Sequence, residues 1–352
     1  MKRNGFIDVA KFSFAIVIAE FHVYSGVFLG GRVGVEAFFM ISAYLMMCSL
    51  AKDPCRDNIA ISTVKFIWRK YKALFYFLLP ATVLSYALYC AFYEYTLLES
   101  LAELPLIIFD LIPLHATGIT NEQYLGISWY ISAMLLSMAI LYPLCKKFRR
   151  SFTLLACPLI GVFGYGILCF HFRSLAINYQ IVPETIIRTG FLRGFACCAL
   201  GCFLYEMCQL VNGKTPTRTC RAIFTCLELL GYTYMAFVMH HQYASPYEYV
   251  VVFVIFGLLF IGINGLSVFS YLWRYSWTKY LGTASTLIVL CHVPLVNTLE
   301  KALGPDFAQT PDFWWYPLSI LLFCSIVYAC SVLLKLLFAQ LKKIKLWQEP
   351  KA

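Results

Sequence analysis

The segment "IDVAKFSFAIVIAEFHVY", residues 7–24, is apolar enough to cross a membrane, yet it contains a lysine and a histidine. Lys11 and His22 are separated by eleven positions. At about 100° per residue this is about 20° beyond three full turns, so both side chains lie on one face of a helix. They are roughly 16 Å apart along the axis, about half the thickness of a hydrocarbon core. The segment therefore predicts a membrane helix with two polar groups on one stripe.

The whole chain has the composition of a membrane protein. Of its 352 residues 61% are hydrophobic and only 13% are charged, and the mean hydropathy is +0.73. A soluble domain carries about twice that charged fraction. Repeated long apolar runs predict an all-α fold, a polytopic membrane helical bundle with about ten transmembrane helices. The predicted spans are 6–24, 33–50, 73–94, 125–145, 152–172, 190–210, 222–239, 249–265, 280–299 and 314–338.

The positive charge of the chain follows its predicted topology. Of the 28 lysines and arginines, 21 fall in the loops on the side of the N-terminus and 4 in the opposite loops. By the positive-inside rule this bias puts both termini in the cytoplasm. The net charge of +10 is therefore explained by topology, and we expect no nucleic-acid partner. We expect a membrane domain over 1–340 and a short basic cytoplasmic tail over 341–352.

The fifteen cysteines are scattered, mostly inside the predicted spans. None of them forms a C-x-x-C pair with the spacing of a metal site, so they are interpreted as small apolar residues of helices. The sequence predicts neither a disulfide framework nor a metal site.

Ionisable residues inside spans are costly and usually functional. Glu36 lies one turn into the second span, at about the predicted depth of His22. A carboxylate beside an imidazole can fix its tautomer and stabilise its cation, as general-base catalysis requires. Glu36 could equally pair with Arg32 at the membrane rim. Lys11 could also extend to the cytoplasmic interface and pair with Asp8, one turn earlier.

These residues occur in motifs that resemble membrane acyltransferase family 3. Lys11, ten intervening residues and His22 match the first motif, and "GGRVGVEAFFMIS", residues 30–42, matches the second. Further segments agree in order along nearly the whole chain. They are "FIWRKYKALFYFLLP" with Arg69 and Lys72, "SWYISAMLLSMAILYPL" with Trp129, "RGFACCALGCFLYE" with Arg193, and "YLGTASTLIVLCHVPLV" with His292.

The resemblance implies a multi-pass enzyme of the bacterial inner membrane. It would move an acyl group, usually acetyl, from cytoplasmic acyl-CoA to a hydroxyl of an extracytoplasmic glycan or glycolipid. His22 would act as the catalytic base, supported by Glu36. The phosphates of acetyl-CoA would be held by basic residues at the cytoplasmic mouth, because guanidinium and ammonium groups bind phosphate. The expected donor-binding residues are Lys11, Arg69 and Lys72, with Lys70 beside them, and the expected substrate-binding residues are Arg32, Trp129, Arg193 and His292.

Two other classes of protein fit some of these features. Intramembrane charges and ten spans also suit a transporter or flippase for a glycolipid, although the sequence has no recognisable inverted repeat. A non-catalytic membrane scaffold would not need Lys11 and His22 on one stripe. Arg193 and His292 could also be structural hydrogen-bonding centres. The sequence sets no oligomeric state.

Overall fold

The computed structural model describes residues 3–23, 28–52, 58–120, 124–241, 246–273 and 275–343, so most of the predicted tail, 344–352, lies outside the described residues. The described part is helical and has no β-strand. A long helix lies at each of the ten predicted spans, which confirms the polytopic helical bundle. The long helices are α1 Gly5–Val23, α2 Gly34–Leu50, α3 Ile59–Phe92, α4 Ser128–Ser151, α5 Cys157–His171, α6 Thr189–Val211, α7 Arg218–His240, α8 Tyr247–Asn264, α9 Thr278–Leu303 and α10 Trp315–Lys343.

Eight helical stretches of the described residues are long and apolar enough to cross a membrane. One of them, Ser128–His171, contains both α4 and α5, and the chain turns at Arg149, whose φ is 49° and ψ −134°. The two helices run in opposite directions along α6. Trp129 at the start of α4 lies against Gly190 at the start of α6, whereas α5 meets α6 in the reverse order. Helix α1 is outside the eight stretches because it carries Asp8, Lys11 and Glu20.

The helix ends that were predicted to be cytoplasmic lie together, and we call this the basic end. The guanidinium of Arg3 donates to the carbonyl oxygen of Lys279 at 2.9 Å, which joins the start of α1 to the start of α9. Asn264 at the end of α8 donates to the sulfur of Cys208 near the end of α6 at 3.1 Å. Arg150 pairs with Glu206 at 3.5 Å in the same region. The observed arrangement thus agrees with the predicted alternation of loops, and the positive-inside rule assigns the basic end to the cytoplasm.

Small residues allow the helices around the site to approach closely, as is usual in membrane bundles. A Cβ atom on Gly201 of α6 would lie 2.4 Å from the carbonyl oxygen of Met40 in α2, so only glycine fits there. A Cβ atom on Gly31 would lie 2.5 Å from the carbonyl oxygen of Val17 in α1. The first contact brings α2 against α6, and the second holds the start of α2 against α1. Together they fix the side chains of α1, α2 and α6 around one cavity.

The long segment between α3 and α4 packs on the bundle. It contains the short helices Leu97–Glu103 and Ile108–Leu111. Asp110 is buried, accepts a hydrogen bond from the backbone N–H of Tyr124 at 2.7 Å, and also binds the hydroxyl of Ser128. Burial raises the pKa of Asp110, and the hydrogen bond from Ser128 acts in the opposite direction. This carboxyl group therefore anchors the start of α4.

Candidate active site

A cavity of about 450 Å³ lies at the end of the bundle opposite the basic end. The cavity is lined by side chains from the last turn of α1, the first turns of α2, α4 and α6, and the middle of α9. Five of the nine predicted site residues line it, although they are spread over most of the sequence. They are His22, Arg32, Trp129, Arg193 and His292.

Two histidines meet in this cavity. The ring centroids of His22 and His292 are 5.0 Å apart, with an angle of 55° between the ring planes. His292 is 1% exposed, and its Nδ1 lies 3.1 Å from the carbonyl oxygen of Ile288 and 2.9 Å from that of Val289. A carbonyl oxygen only accepts hydrogen bonds, so Nδ1 carries the proton and Nε2 of the neutral ring keeps a lone pair. This Nε2 has no hydrogen-bond partner among the described residues.

Glu36 is fully buried, but it does not take the position beside His22 that the sequence suggested. Arg193 binds both of its carboxylate oxygens, one through Nε and the other through Nη2 at 2.7 Å. The hydroxyl of Tyr165 donates to the same carboxylate at 3.3 Å. The expected contact between Glu36 and His22 is therefore wrong. Helix α6 lies close enough to α2 for the guanidinium of Arg193 to bind the carboxylate of Glu36 instead.

The alternative pairing of Glu36 with Arg32 is also wrong. The guanidinium of Arg32 binds the carboxylate of Glu248 at the start of α8. The same carboxylate accepts a hydrogen bond from the backbone N–H of Leu175 at 2.8 Å. Arg193 further donates to the carbonyl oxygen of Arg32 at 3.0 Å. Two buried ion pairs thus join α2, α6 and α8 on one side of the cavity.

The predicted donor-binding residues lie nearer the basic end. Asp8 does not pair with Lys11, because Arg3 binds its two oxygens at 2.6 and 2.9 Å. Lys70 of α3 is within electrostatic range of Lys11. Neither ammonium group has an ion-pair partner among the described residues. Lys72 is half-buried and Arg69 is exposed. The structure therefore adds Lys70 to the predicted donor-binding residues, as a second cation within electrostatic range of Lys11.

Several cavity residues were not anticipated. Tyr130, Asn178 and Asn297 line the cavity, and Asn178 also accepts a hydrogen bond from Arg193 at 3.0 Å. Tyr130 follows Trp129 directly, so the Trp-Tyr segment contained a signal for it. The two asparagines carried no such signal, because amides are common in loops and helix ends. Glu248 directly precedes the predicted span 249–265 and gave no signal as an acid inside the membrane, because the helix begins two residues earlier, at Tyr247.

Comparison with known proteins gives one match. The family model described as an acyltransferase domain, that of acyltransferase family 3, matches residues 4–335, nearly the whole chain. No curated protein and no solved structure matches significantly. The matched residues include every helix that lines the cavity, and they include Lys11 and Lys70. The chain therefore belongs to acyltransferase family 3 and is a multi-pass membrane acyltransferase.

Proposed function

We propose that this acyltransferase moves an acetyl group from acetyl-CoA in the cytoplasm to a hydroxyl group of an extracytoplasmic glycan or glycolipid. The observation that carries the proposal is the arrangement along α1. Lys11 is within electrostatic range of Lys70 in the half of the bundle near the basic end, and His22 lies beside His292 at the opposite end. Two cations without an ion pair among the described residues suit a phosphorylated donor, and an imidazole in a cavity suits acyl transfer.

The proposed chemistry assigns a step to each group. The phosphates of acetyl-CoA bind near Lys11 and Lys70, and the thioester end of the arm lies in the cavity. His22 removes the proton of the acceptor hydroxyl while its oxygen attacks the thioester carbonyl carbon. The carbon–sulfur bond then breaks, and the leaving thiolate takes up a proton from the imidazolium. The products are an acetyl ester and free CoA, so no other reactant is required.

The cavity walls support a sugar as the acceptor. Trp129 and Tyr130 line the cavity with aromatic rings, and Asn178 and Asn297 line it with amide groups. Such a mixture suits a ring that carries C–H faces and several hydroxyl groups. The two buried ion pairs hold the arginines in fixed positions, which favours a preformed site.

The test measures CoA release by purified protein in detergent. Acetyl-CoA and succinyl-CoA are compared as donors, with glycans or glycolipids from the producing cells as acceptors. We expect acceptor-dependent release of the CoA thiol from acetyl-CoA and an acetyl ester on the acceptor, found by mass spectrometry. Lack of CoA release with every acceptor would contradict the proposal. Glycolipid movement across vesicles without CoA release would instead support a flippase. Comparing surface glycans of cells with and without the gene identifies the acceptor.

A further inference from the structure

We propose that Cys145, Cys157 and Cys202 form a binding site for one Cu(I) ion at the basic end of the bundle. Their sulfur atoms all lie within 4.8 Å of one another. The three side chains are buried, with exposures of 2%, 0% and 0%. The cysteines belong to three different helices, α4, α5 and α6, and this explains why their spacing in the sequence resembles no metal motif. The site is separate from the acyl-transfer cavity, none of whose lining residues it shares.

The turn of the chain at Arg149 creates the cluster. Cys145 and Cys157 lie on either side of this turn, and α4 and α5 both pack on α6, which contributes Cys202. Metal–thiolate bonds of about 2.3 Å, the length known for zinc, would place three sulfurs of a planar site about 4 Å apart. The observed separations therefore require only small side-chain movements to surround one ion.

The number of ligands favours copper. Soft thiolates select Cu(I), Zn(II) and iron–sulfur clusters. Structural zinc sites are almost always four-coordinate, and iron–sulfur clusters use four protein ligands. Among the described residues, the group of mutually close ligand atoms consists of these three sulfurs and contains no fourth histidine, cysteine or carboxylate. Three thiolates satisfy a trigonal Cu(I) ion.

The surroundings provide an access route and a compensating charge. Cys145 lines a pocket of about 300 Å³ together with Lys146, Arg149, Arg150 and Glu206. Binding of Cu(I) by three thiols releases three protons and leaves a site with a net charge of −2. Lys146, Arg149 and Arg150 place positive charge beside the three sulfurs, and Glu206, the partner of Arg150, contributes one carboxylate. The bound ion would join the α4–α5 hairpin to α6, the helix that carries Arg193.

The experiment titrates the purified full chain in detergent, without oxygen, with Cu(I) in competition with a coloured Cu(I) chelator. We expect one tightly bound Cu(I) per chain and X-ray absorption that shows three sulfur neighbours. Cys202→Ser should weaken binding at least about 100-fold. Cys208→Ser removes another buried cysteine of the same helix and should leave Cu(I) affinity unchanged. Elution as a single detergent-bound peak shows that each variant is folded.

Four results would overturn the proposal. One is equal Cu(I) affinity of wild type and Cys202→Ser, and another is an equal loss in Cys208→Ser. The third needs no variant: a copper environment in the wild type with fewer than three sulfurs, or with nitrogen or oxygen neighbours, would exclude the three-cysteine site. Tighter binding of Zn(II) than of Cu(I) would likewise contradict the three-coordinate assignment. Since no measurement involves acyl transfer, the outcome is independent of the proposed function.

Discussion

The rings of His22 and His292 lie 5.0 Å apart between their centroids, and the backbone of α9 fixes the protonation of the second ring. The proton on Nδ1 of His292 leaves Nε2, a buried atom without a partner among the described residues, as a hydrogen-bond acceptor. Two imidazoles therefore lie at the cavity to which the proposed function assigns the acceptor hydroxyl. The sequence motif points to His22 as the base, and the structure gives His292 as the residue to test beside it.

The first prediction concerns His22. Replacement by Ala or Gln should leave folding and acetyl-CoA binding largely intact, because the side chain lines the cavity and lies far from the predicted donor-binding lysines. Turnover should fall by about 10²–10⁴-fold, the usual contribution of a general base. Rates of CoA release, with CoA binding measured separately, test this. Near-normal turnover of folded His22→Ala protein would transfer the role of base to His292, and His292→Gln should then show the larger loss.

The second prediction concerns Glu36. Glu36→Gln should lower the free energy of unfolding by about 3–5 kcal/mol, because it leaves the fully buried guanidinium of Arg193 without its counter-charge. Thermal unfolding in detergent measures the effect. Glu36→Gln combined with Arg193→Met should lose less stability than the sum of the two single changes, since neither charge is then left alone. A loss of turnover with unchanged stability in Glu36→Gln would instead indicate a direct role in the chemistry.

The third prediction concerns the donor and compares two adjacent residues of α3. Lys11→Ala and Lys70→Ala should each weaken acetyl-CoA binding by about 10–100-fold, the effect of one charge-assisted hydrogen bond. The matched control is Arg69→Ala, which removes an exposed charge and should have a small effect that disappears with added salt. Lys72→Ala should weaken acetyl-CoA binding by a factor between those of Lys70→Ala and Arg69→Ala. Unchanged affinity in both Lys11→Ala and Lys70→Ala would exclude this route for the donor.

The fourth prediction concerns topology. Reporter fusions at Asp57, which lies outside the described residues, and at Glu99 should report opposite sides of the membrane. The first should be cytoplasmic, because it lies in the set of loops that holds 21 of the 28 basic residues. Helix α3 separates the two positions. Reporters that signal from the same side would contradict the ten-span arrangement.

The fold was largely predictable, because the hydropathy and the charge bias that define spans and loops can be determined from each segment of the sequence alone. Every predicted span coincides with a helix, and periodicity alone put Lys11 and His22 on one face of α1. The partners of charged residues were not predictable in this way. Glu36 and Arg193 are 157 positions apart, and their pairing depends on α2 packing against α6. Periodicity within α2 could not distinguish this partner from His22 or Arg32.

Other features of the site required the assembled helices for the same reason. Arg69 and Lys70 are neighbours with equal charge in the sequence, and only the assembled bundle shows that Lys70 is within electrostatic range of Lys11 and that Arg69 is exposed. The cysteine cluster combines residues of three helices, so spacing rules designed for short motifs could not detect it. Five cavity residues were nevertheless identified in advance, because each lies in a family motif.

The ion pair between Glu36 and Arg193 has a consequence for how the chain is made. Synthesis proceeds from the N-terminus, so α2 reaches the bilayer while the ribosome has still to produce α6. A single charged group at the centre of a membrane helix costs about 2.5–3.5 kcal/mol on insertion scales, and Glu36, in the first turn of α2, carries a smaller cost of the same kind. The carboxylate of Glu36 therefore lacks this counter-ion until Arg193, 157 residues later, has been made. Nascent chains arrested before Arg193 should accordingly extract from membranes more readily than chains arrested after it.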